Sequence, residues 1–375
     1  MRRPFLLLCT AVAACALLAP GAGAKAPKKP RHTRVGLQRV ATFEHQVTGV
    51  SVSAQRRIFV NFPRWTEDVP VSVAEVGTGG KVTPYPDAEW NAWRNRKRFE
   101  LSPQDHFVCV QRVVVDHHDN LWVVDAGAPA MDFIVPGAPK LVEISLATNT
   151  VTRVIPLDES VAPQGSYMND IRFTPDDRYA FVTDSGQRGA IVVVDLLTGA
   201  ARRTLDGHPS TQPEPSVTIT VDGRPLERPD GRRLIGASDG ITISPDGTTL
   251  SWQALTGVTL YSVPVAALES AALTPAEVAA QVAVVGRNGV ADGLWSDERG
   301  IWVTSPENDA IKLRTGAQIG TVVKDRRLDW PDTFSQAPDG TIYVTASRIP
   351  DMQWFKPRNP PQLTTTLWAL MGTAR

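Results

Sequence analysis

The chain has 375 residues, and its 39 basic side chains balance 39 acidic ones. With no net charge there is no long-range field to draw it to nucleic acid or to an acidic membrane surface, so nucleic acid is not an expected partner. At 42% hydrophobic residues it can bury a large core, and its length calls for two or three ordinary domains unless one repeat architecture uses it all.

The chain opens on MRRPFLLLCTAVAACALLAPGAGA, with a basic start, an apolar run from Phe5 to Leu18 and a small-x-small site at Ala22-Gly23-Ala24. This pattern predicts an export signal over residues 1–24, cut before Lys25, and hence a secreted or periplasmic protein. The apolar run is too short to anchor the mature chain, so no membrane span is expected. Arg2-Arg3 also fits a twin-arginine signal, but the basic region is very short, which favours the general secretory route. A lipid-modified Cys15 is the third option, and the apolar run continuing past Cys15 counts against it. Residues 25–36, basic and proline-rich, are expected to form a flexible leader. Cleavage would leave Cys109 as the one thiol, so stability must come from packing or a metal and not from internal disulfides.

From there one pattern recurs. It begins at Thr48 (TGVSVSAQRRIFVNF), Gln111 (QRVVVDHHDNLWVVD), Asn169 (NDIRFTPDDRYAFVTD), Asp239 (DGITISPDGTTLSWQ), Asp292 (DGLWSDERGIWVTS) and Asp332 (DTFSQAPDGTIYVTA). Each copy is a polar residue, a short apolar strand, a turn rich in Asp, Gly, Pro or His, and a second apolar strand, which is the signature of a hairpin. The spacing leaves room for two more strands per copy, and Lys140 to Leu157 and Ala190 to Leu205 each read as strand, Thr-rich turn, strand. Six units of four strands predict an all-β, six-bladed β-propeller over residues 37–375. The ring should close by pairing a strand near Leu37 to Phe43 with one near Leu363 to Leu370. A capping box with proline at the first helical position, Thr274-Pro275-Ala276-Glu277, predicts one short helix between blades four and five. The Pro- and charge-rich stretch from Asp206 to Leu234 is too long for a turn and is expected to lie across one face as a lid.

In a propeller the first strand of each blade lines the central channel, so the residue opening each copy should face one channel mouth. Those residues are Thr48, Gln111, Asn169, Asp239, Asp292 and Asp332. An Asp before Gly is ordinary turn chemistry at any one position. Three carboxylates aligned around one ring are another matter, because crowding them is costly unless a cation or basic ligand group answers them. A set of hard oxygen donors suits one divalent cation, calcium or magnesium. Other motifs carry less. Gly236-Ala237-Ser238-Asp239-Gly240 satisfies G-x-S-x-G but is followed by a β run and not a helix. His117-His118-Asp119-Asn120 is read as a solvated hairpin tip far from that mouth. The ten tryptophans, among them Trp65, Trp90, Trp93 and Trp295, are read as wedges between blades, except Trp330, which lies close to the mouth.

Several stretches, RIFVNFPRWTEDVPVSVAEV, PYPDAEWNAW, NLWVVDAG and WPDTFSQAPDGTIYVTASR among them, resemble the yellow and major royal jelly protein family, over about Val40 to Arg348. The resemblance implies a secreted, six-bladed fold. It also implies a choice among small-amine binding, a link to pigment or dopachrome conversion, and a nutritive role. The chain lacks the family's disulfide cysteines and so resembles its bacterial branch. A more distant likeness is to gluconolactonase and regucalcin-type propellers, whose channel ion sits on a Glu, Asn and Asp set. Asn169 and Asp239 match an Asn and the Asp of that set, while Thr48 stands at the Glu position and Gln111 at a second Asn position. Two functions follow as expectations. The first is a binding protein for a small amine or aromatic molecule, held by Thr48, Gln111, Asn169, Asp292, Trp330 and Asp332. The second is a metal-dependent lactone or ester hydrolase, with the ion on Asn169 and Asp239 and with Asp239 or Asp292 activating water.

Overall fold

The structure, a computed structural model, describes residues 35–67 and 69–372. The expected export signal, Cys15 and most of the basic leader lie outside the described residues. Six four-stranded antiparallel sheets follow one another along the chain and form the blades of a β-propeller. Their innermost strands are Gly49–Val52, Val110–Val115, Met168–Phe173, Ser238–Ile243, Leu294–Asp297 and Pro331–Gln336. The first strand of the chain, Gly36–Phe43, pairs with the last, Thr365–Met371, in register from Gly36 opposite Met371 to Phe43 opposite Thr365. It completes the sixth blade from outside, so both ends of the propeller are fixed by one ladder and no disulfide is needed; Cys109 is a free, buried thiol.

Apolar faces of neighbouring blades pack together. Trp122, Leu141, Ile171, Phe173, Ala180 and Val192 form one such seam, between blades two and three. Burying each large aliphatic side chain contributes roughly 1.5–3 kcal/mol, so the seams are the main source of cohesion. The channel face is built differently. In blades two, three, four and six the inner hairpin slips register just after its first pair, between Val110 and Arg112, Met168 and Ile171, Ser238 and Ile241, and Pro331 and Phe334. Such bulges re-aim side chains, and Gln111, Asn169, Asp239 and Asp332 sit inside them.

Threonines of the second strands hold the start of the inner strands. Thr183 Oγ1 accepts from Asp170 N (3.0 Å) and donates to Asp239 O of the next blade (2.7 Å). Thr345 Oγ1 accepts from Thr333 N (3.1 Å) and donates to Thr48 O (2.8 Å), and Thr304 Oγ1 accepts from Gly293 N (2.9 Å). The glycines after Asp239 and Asp292 have a separate task. A Cβ on Gly240 would lie 2.0 Å from Asp292 O, and one on Gly293 would lie 1.9 Å from Asp332 O. The inner strands approach so closely that only glycine fits there. The Asp-Gly pairs therefore serve ring packing and not turns.

Among the described residues two short α-helices occur, Val265–Glu269 and Pro275–Ala279. The second carries the expected capping box, but both lie inside blade four, between its third strand Thr259–Pro264 and its fourth, Ala283–Arg287, and not between blades four and five. The fourth strand is largely exposed and lacks alternation, so the sequence does not announce it as part of the same blade. The segment from Asp206 to Leu234 crosses the channel mouth as expected. Its Glu214 Oε1 accepts from Val258 N and Thr259 N, Glu307 Oε1 accepts from Thr220 N, and Ile219 and Leu226 pack with Trp65, Leu255, Ile349 and Met352.

Candidate functional site

Under this cover lies a cavity of about 40 Å³, room for a water or two as the side chains stand. Gln111, Asn169, Asp239, Asp292 and Asp332 line its channel side, from five consecutive blades. Its outer wall is apolar and aromatic, with Trp65, Leu234, Leu255, Ile349, Met352 and Trp354. Trp65 and Trp354 lie 6.0 Å apart between ring centres, and the lid residue Arg228 covers Trp354 at 4.8 Å. Tyr167 ties wall to ring: its hydroxyl accepts from Trp65 Nε1 (2.8 Å) and donates to Gln111 Oε1 (3.0 Å).

Thr48 does not join this set. Its hydroxyl donates to Gln111 O (3.1 Å) and accepts from Asn61 Nδ2 (2.8 Å), which leaves it a structural role at the ring's first position. Trp330 is fully buried and does not face the cavity; its Nε1 donates to Asp292 Oδ2 at 2.6 Å. It holds this position with a left-handed backbone, φ +54°, which is costly for a bulky residue and is tolerated where the surroundings fix it. Asn169 donates Nδ2 to Ser185 Oγ (3.0 Å), so its carbonyl oxygen is left for the cavity.

Beneath the ring are three charged side chains that sequence reasoning missed. Asp170 Oδ1 accepts from Arg172 Nη1 at 2.7 Å and lies 2.9 Å from Arg112 Nε, and all three residues are at least nine-tenths buried. The 2.9 Å ion pair is off the hydrogen-bonding direction, so Arg112 Nε and Nη1 have no hydrogen-bond partner. Four buried aspartates thus face two arginines. Burial and the neighbouring carboxylates of Asp292 and Asp332 hold Asp239 well above the usual carboxylate range. Burial and Asp292 do the same to Asp332. Burial also raises Asp292, to about 7, with the Trp330 hydrogen bond acting against it. Near neutral pH this trio can therefore keep protons, hand one over, or exchange protons for a cation.

A second cluster lies at the far end of the channel, where His118 joins Asp116 and, from the next blade, Asp177. Among the described residues this is the set of three acid, His or Cys side chains whose ligand atoms all lie within 4.8 Å, a convergence the channel aspartates do not reach. His117 Nδ1 and His118 Nδ1 lie 2.8 and 2.7 Å from Asp177. The sequence reading of this turn as merely solvated overlooked Asp177, which is 59 residues downstream of His118.

The family model described as major royal jelly protein matches residues 108–355, about two-thirds of the sequence. The chain belongs to the major royal jelly protein family. All five ring residues of the cavity, with Tyr167, Trp330 and Trp354, fall inside the match, while Thr48 and Trp65 precede it. Among curated proteins it is similar to dopaminechrome tautomerase of Drosophila melanogaster, 30% identical over 149 residues, 36% of this chain and 31% of that one. It is also similar to Protein yellow of Drosophila pseudoobscura pseudoobscura, 27% identical over 147 residues, 36% of this chain and 25% of that one. The matched stretch thus spans a third or less of these relatives. Among solved structures the fold is similar to a luciferin-regenerating enzyme (TM-score 0.56, 9% identity, 91% of this chain and 96% of that one). It is also similar to a gluconolactonase from Xanthomonas campestris (TM-score 0.55, 13% identity, 91% and 90%) and to the calcium-binding protein regucalcin from Agrobacterium tumefaciens (TM-score 0.52, 14% identity, 89% and 94%). At these identities the structural likeness concerns the fold alone.

Proposed function

We propose that this is an exported protein whose channel mouth binds a small cationic aromatic molecule, an amine. One observation carries it: the carboxylates of Asp239, Asp292 and Asp332 line the cavity, with no Arg, Lys or His among the lining residues, and the facing wall is aromatic. An ammonium group would replace the protons the trio now retains, and its ring would lie against Trp65 and Trp354. The roof must shift to admit it, and the lid residues Leu234 and Ile235, the latter 66% exposed, are placed to move. Similarity to a dopaminechrome tautomerase is in keeping with an aromatic amine or its oxidation product as ligand. Export rests on the N-terminal pattern, and among the described residues no helix is long and apolar enough to cross a membrane. The test is calorimetric titration with dopamine and tryptamine against neutral isosteres. Binding of the amines alone is expected, and equal binding of the isosteres would refute the proposal.

A second reading, a divalent-cation-dependent lactone or ester hydrolase, draws on the excess of buried carboxylates and the free Asn169 oxygen. These hard oxygen donors suit calcium or magnesium, so Asn169 and Asp239, with Asp292 or Asp332, would hold the ion. The ion would polarise the carbonyl of the substrate. Asp292, held near neutrality, would take the proton from water. Because the three carboxylates do not converge within 4.8 Å, the amine is preferred. Elemental analysis after dialysis against metal-free buffer separates the two: about one calcium or magnesium per chain would put the hydrolase first.

A further inference from the structure

The two ends of the channel are lined by opposite charge. At the end where the inner hairpins turn, a second cavity of about 610 Å³ opens, well within the range of roughly 300–1,000 Å³ usual for small-molecule sites. Its titratable lining is Arg112, Arg172 and His117, without a single carboxylate, the reverse of the cavity above. Its walls are apolar, with Val52, Val114, Phe173, Trp295 and Phe334. The guanidinia of Arg112 and Arg172 share one carboxylate, Asp170. Arg172 also donates Nη2 to Leu294 O at 2.7 Å, whereas Arg112 reaches Phe334 O only at 3.4 Å and keeps Nε and Nη1 without hydrogen-bond partners. A buried guanidinium nitrogen without a partner costs stability, and a ligand oxygen that drew the Arg112 side chain toward the cavity would remove that cost. Asp292 and Asp332 lie on the other side of Arg112, but their charge is reduced by the protons they retain. At the rim, His117 Nδ1 lies 2.8 Å from Asp177.

We propose that this lower cavity is a second binding site, for a small amphiphilic carboxylate whose anionic end meets Arg112 and Arg172 and whose apolar body lies along Phe173, Trp295 and Phe334. The apolar walls select against inorganic anions, and the depth of the two arginines selects against nucleic acid. The site is separate from the amine site and does not depend on it.

The test is calorimetric titration of the whole mature chain with 2-naphthoate, 2-naphthylmethanol and 2-naphthylmethylamine. The carboxylate is expected to bind at least about tenfold more tightly than the alcohol, and saturating amine is expected to leave the naphthoate titration unchanged. Arg112→Met would take a cation from buried Asp170 and so disturb the ring, which makes Gln336→Glu, a substitution at the exposed rim of the cavity, the decisive variant. It should leave the melting temperature unchanged and weaken naphthoate about fivefold, through repulsion that added salt reduces. Trp354→Ala, at the opposite mouth, should leave naphthoate binding unchanged. Equal affinity for carboxylate and alcohol, no heat at millimolar naphthoate, indifference to Gln336→Glu, or loss through Trp354→Ala would each overturn the proposal.

Discussion

Two sets of buried aspartates in this molecule have the same residue type and nearly the same burial, and they do opposite work. Asp125 and Asp184 end the second strands of blades two and three. Asp125 accepts from Val108 N, Cys109 N and Gly127 N and from Lys140 Nζ at 2.7 Å; Asp184 accepts from Tyr167 N and Gly186 N and from Arg203 Nη1 at 2.7 Å. Each is saturated by backbone donors and one cation, and each staples a strand end to the loop before it. Asp239, Asp292 and Asp332 are as buried, yet their neighbours are chiefly one another. What distinguishes a candidate site from a staple is therefore the missing partner and not the burial.

The largest test of this contrast is in stability. Asp125→Ala would leave Lys140 buried and unpaired, and unfolding in urea should show a loss of about 3–5 kcal/mol. Asp332→Asn replaces a carboxyl group that nothing requires for folding and should fall within about 1 kcal/mol of the parent at pH 7. A loss as large as that of Asp125→Ala would make the channel aspartates structural and erase the distinction.

The next effect is in pH. The folded protein holds the Asp292 proton up to about pH 7, whereas the unfolded chain releases it near 4. The folded state then binds more protons across that window, so this group's contribution makes stability fall as pH rises from about 4 to about 7, by at most about 4 kcal/mol. Asp292→Asn should flatten that part of the profile in melts taken at successive pH values. An unchanged slope would show that Asp292 is already compensated. Smaller again is the effect on ligand. A charge-assisted hydrogen bond is worth about 1.5–3 kcal/mol, so Asp239→Asn should weaken amine binding about ten- to hundredfold in the same calorimetric assay.

The repeat of polar residue, strand, turn and strand made the ring legible, because a hairpin is specified locally and six copies fix the number of blades. The same alignment found Gln111, Asn169, Asp239, Asp292 and Asp332, which the fold brings to one cavity. It missed Trp65 and Trp354, which reach the mouth from loops of blades one and six through contacts no local pattern encodes. It also missed Arg112, Asp170 and Arg172, although a signal was present: charged residues in QRVVV and NDIRF interrupt inner strands that should be apolar. In a propeller an inner strand has one edge on the channel, so a charge there marks the axis.

Trp330→Phe gives the finest comparison, since it changes one hydrogen bond and leaves the carboxylates in place. The indole N–H at 2.6 Å favours the ionised form of Asp292 and opposes the effect of burial. Phenylalanine keeps the apolar contact and removes the donor, so the Asp292 pKa should rise further. Amine binding requires that carboxylate ionised, so affinity should fall about tenfold per pH unit below its pKa and level off above it. The midpoint of this curve should lie near 7 in the parent and move upward in Trp330→Phe, by about one unit or less, with affinity at high pH nearly unchanged. A midpoint that stayed in place would mean that Trp330 is packing alone, and that its left-handed backbone serves the blade and not the site.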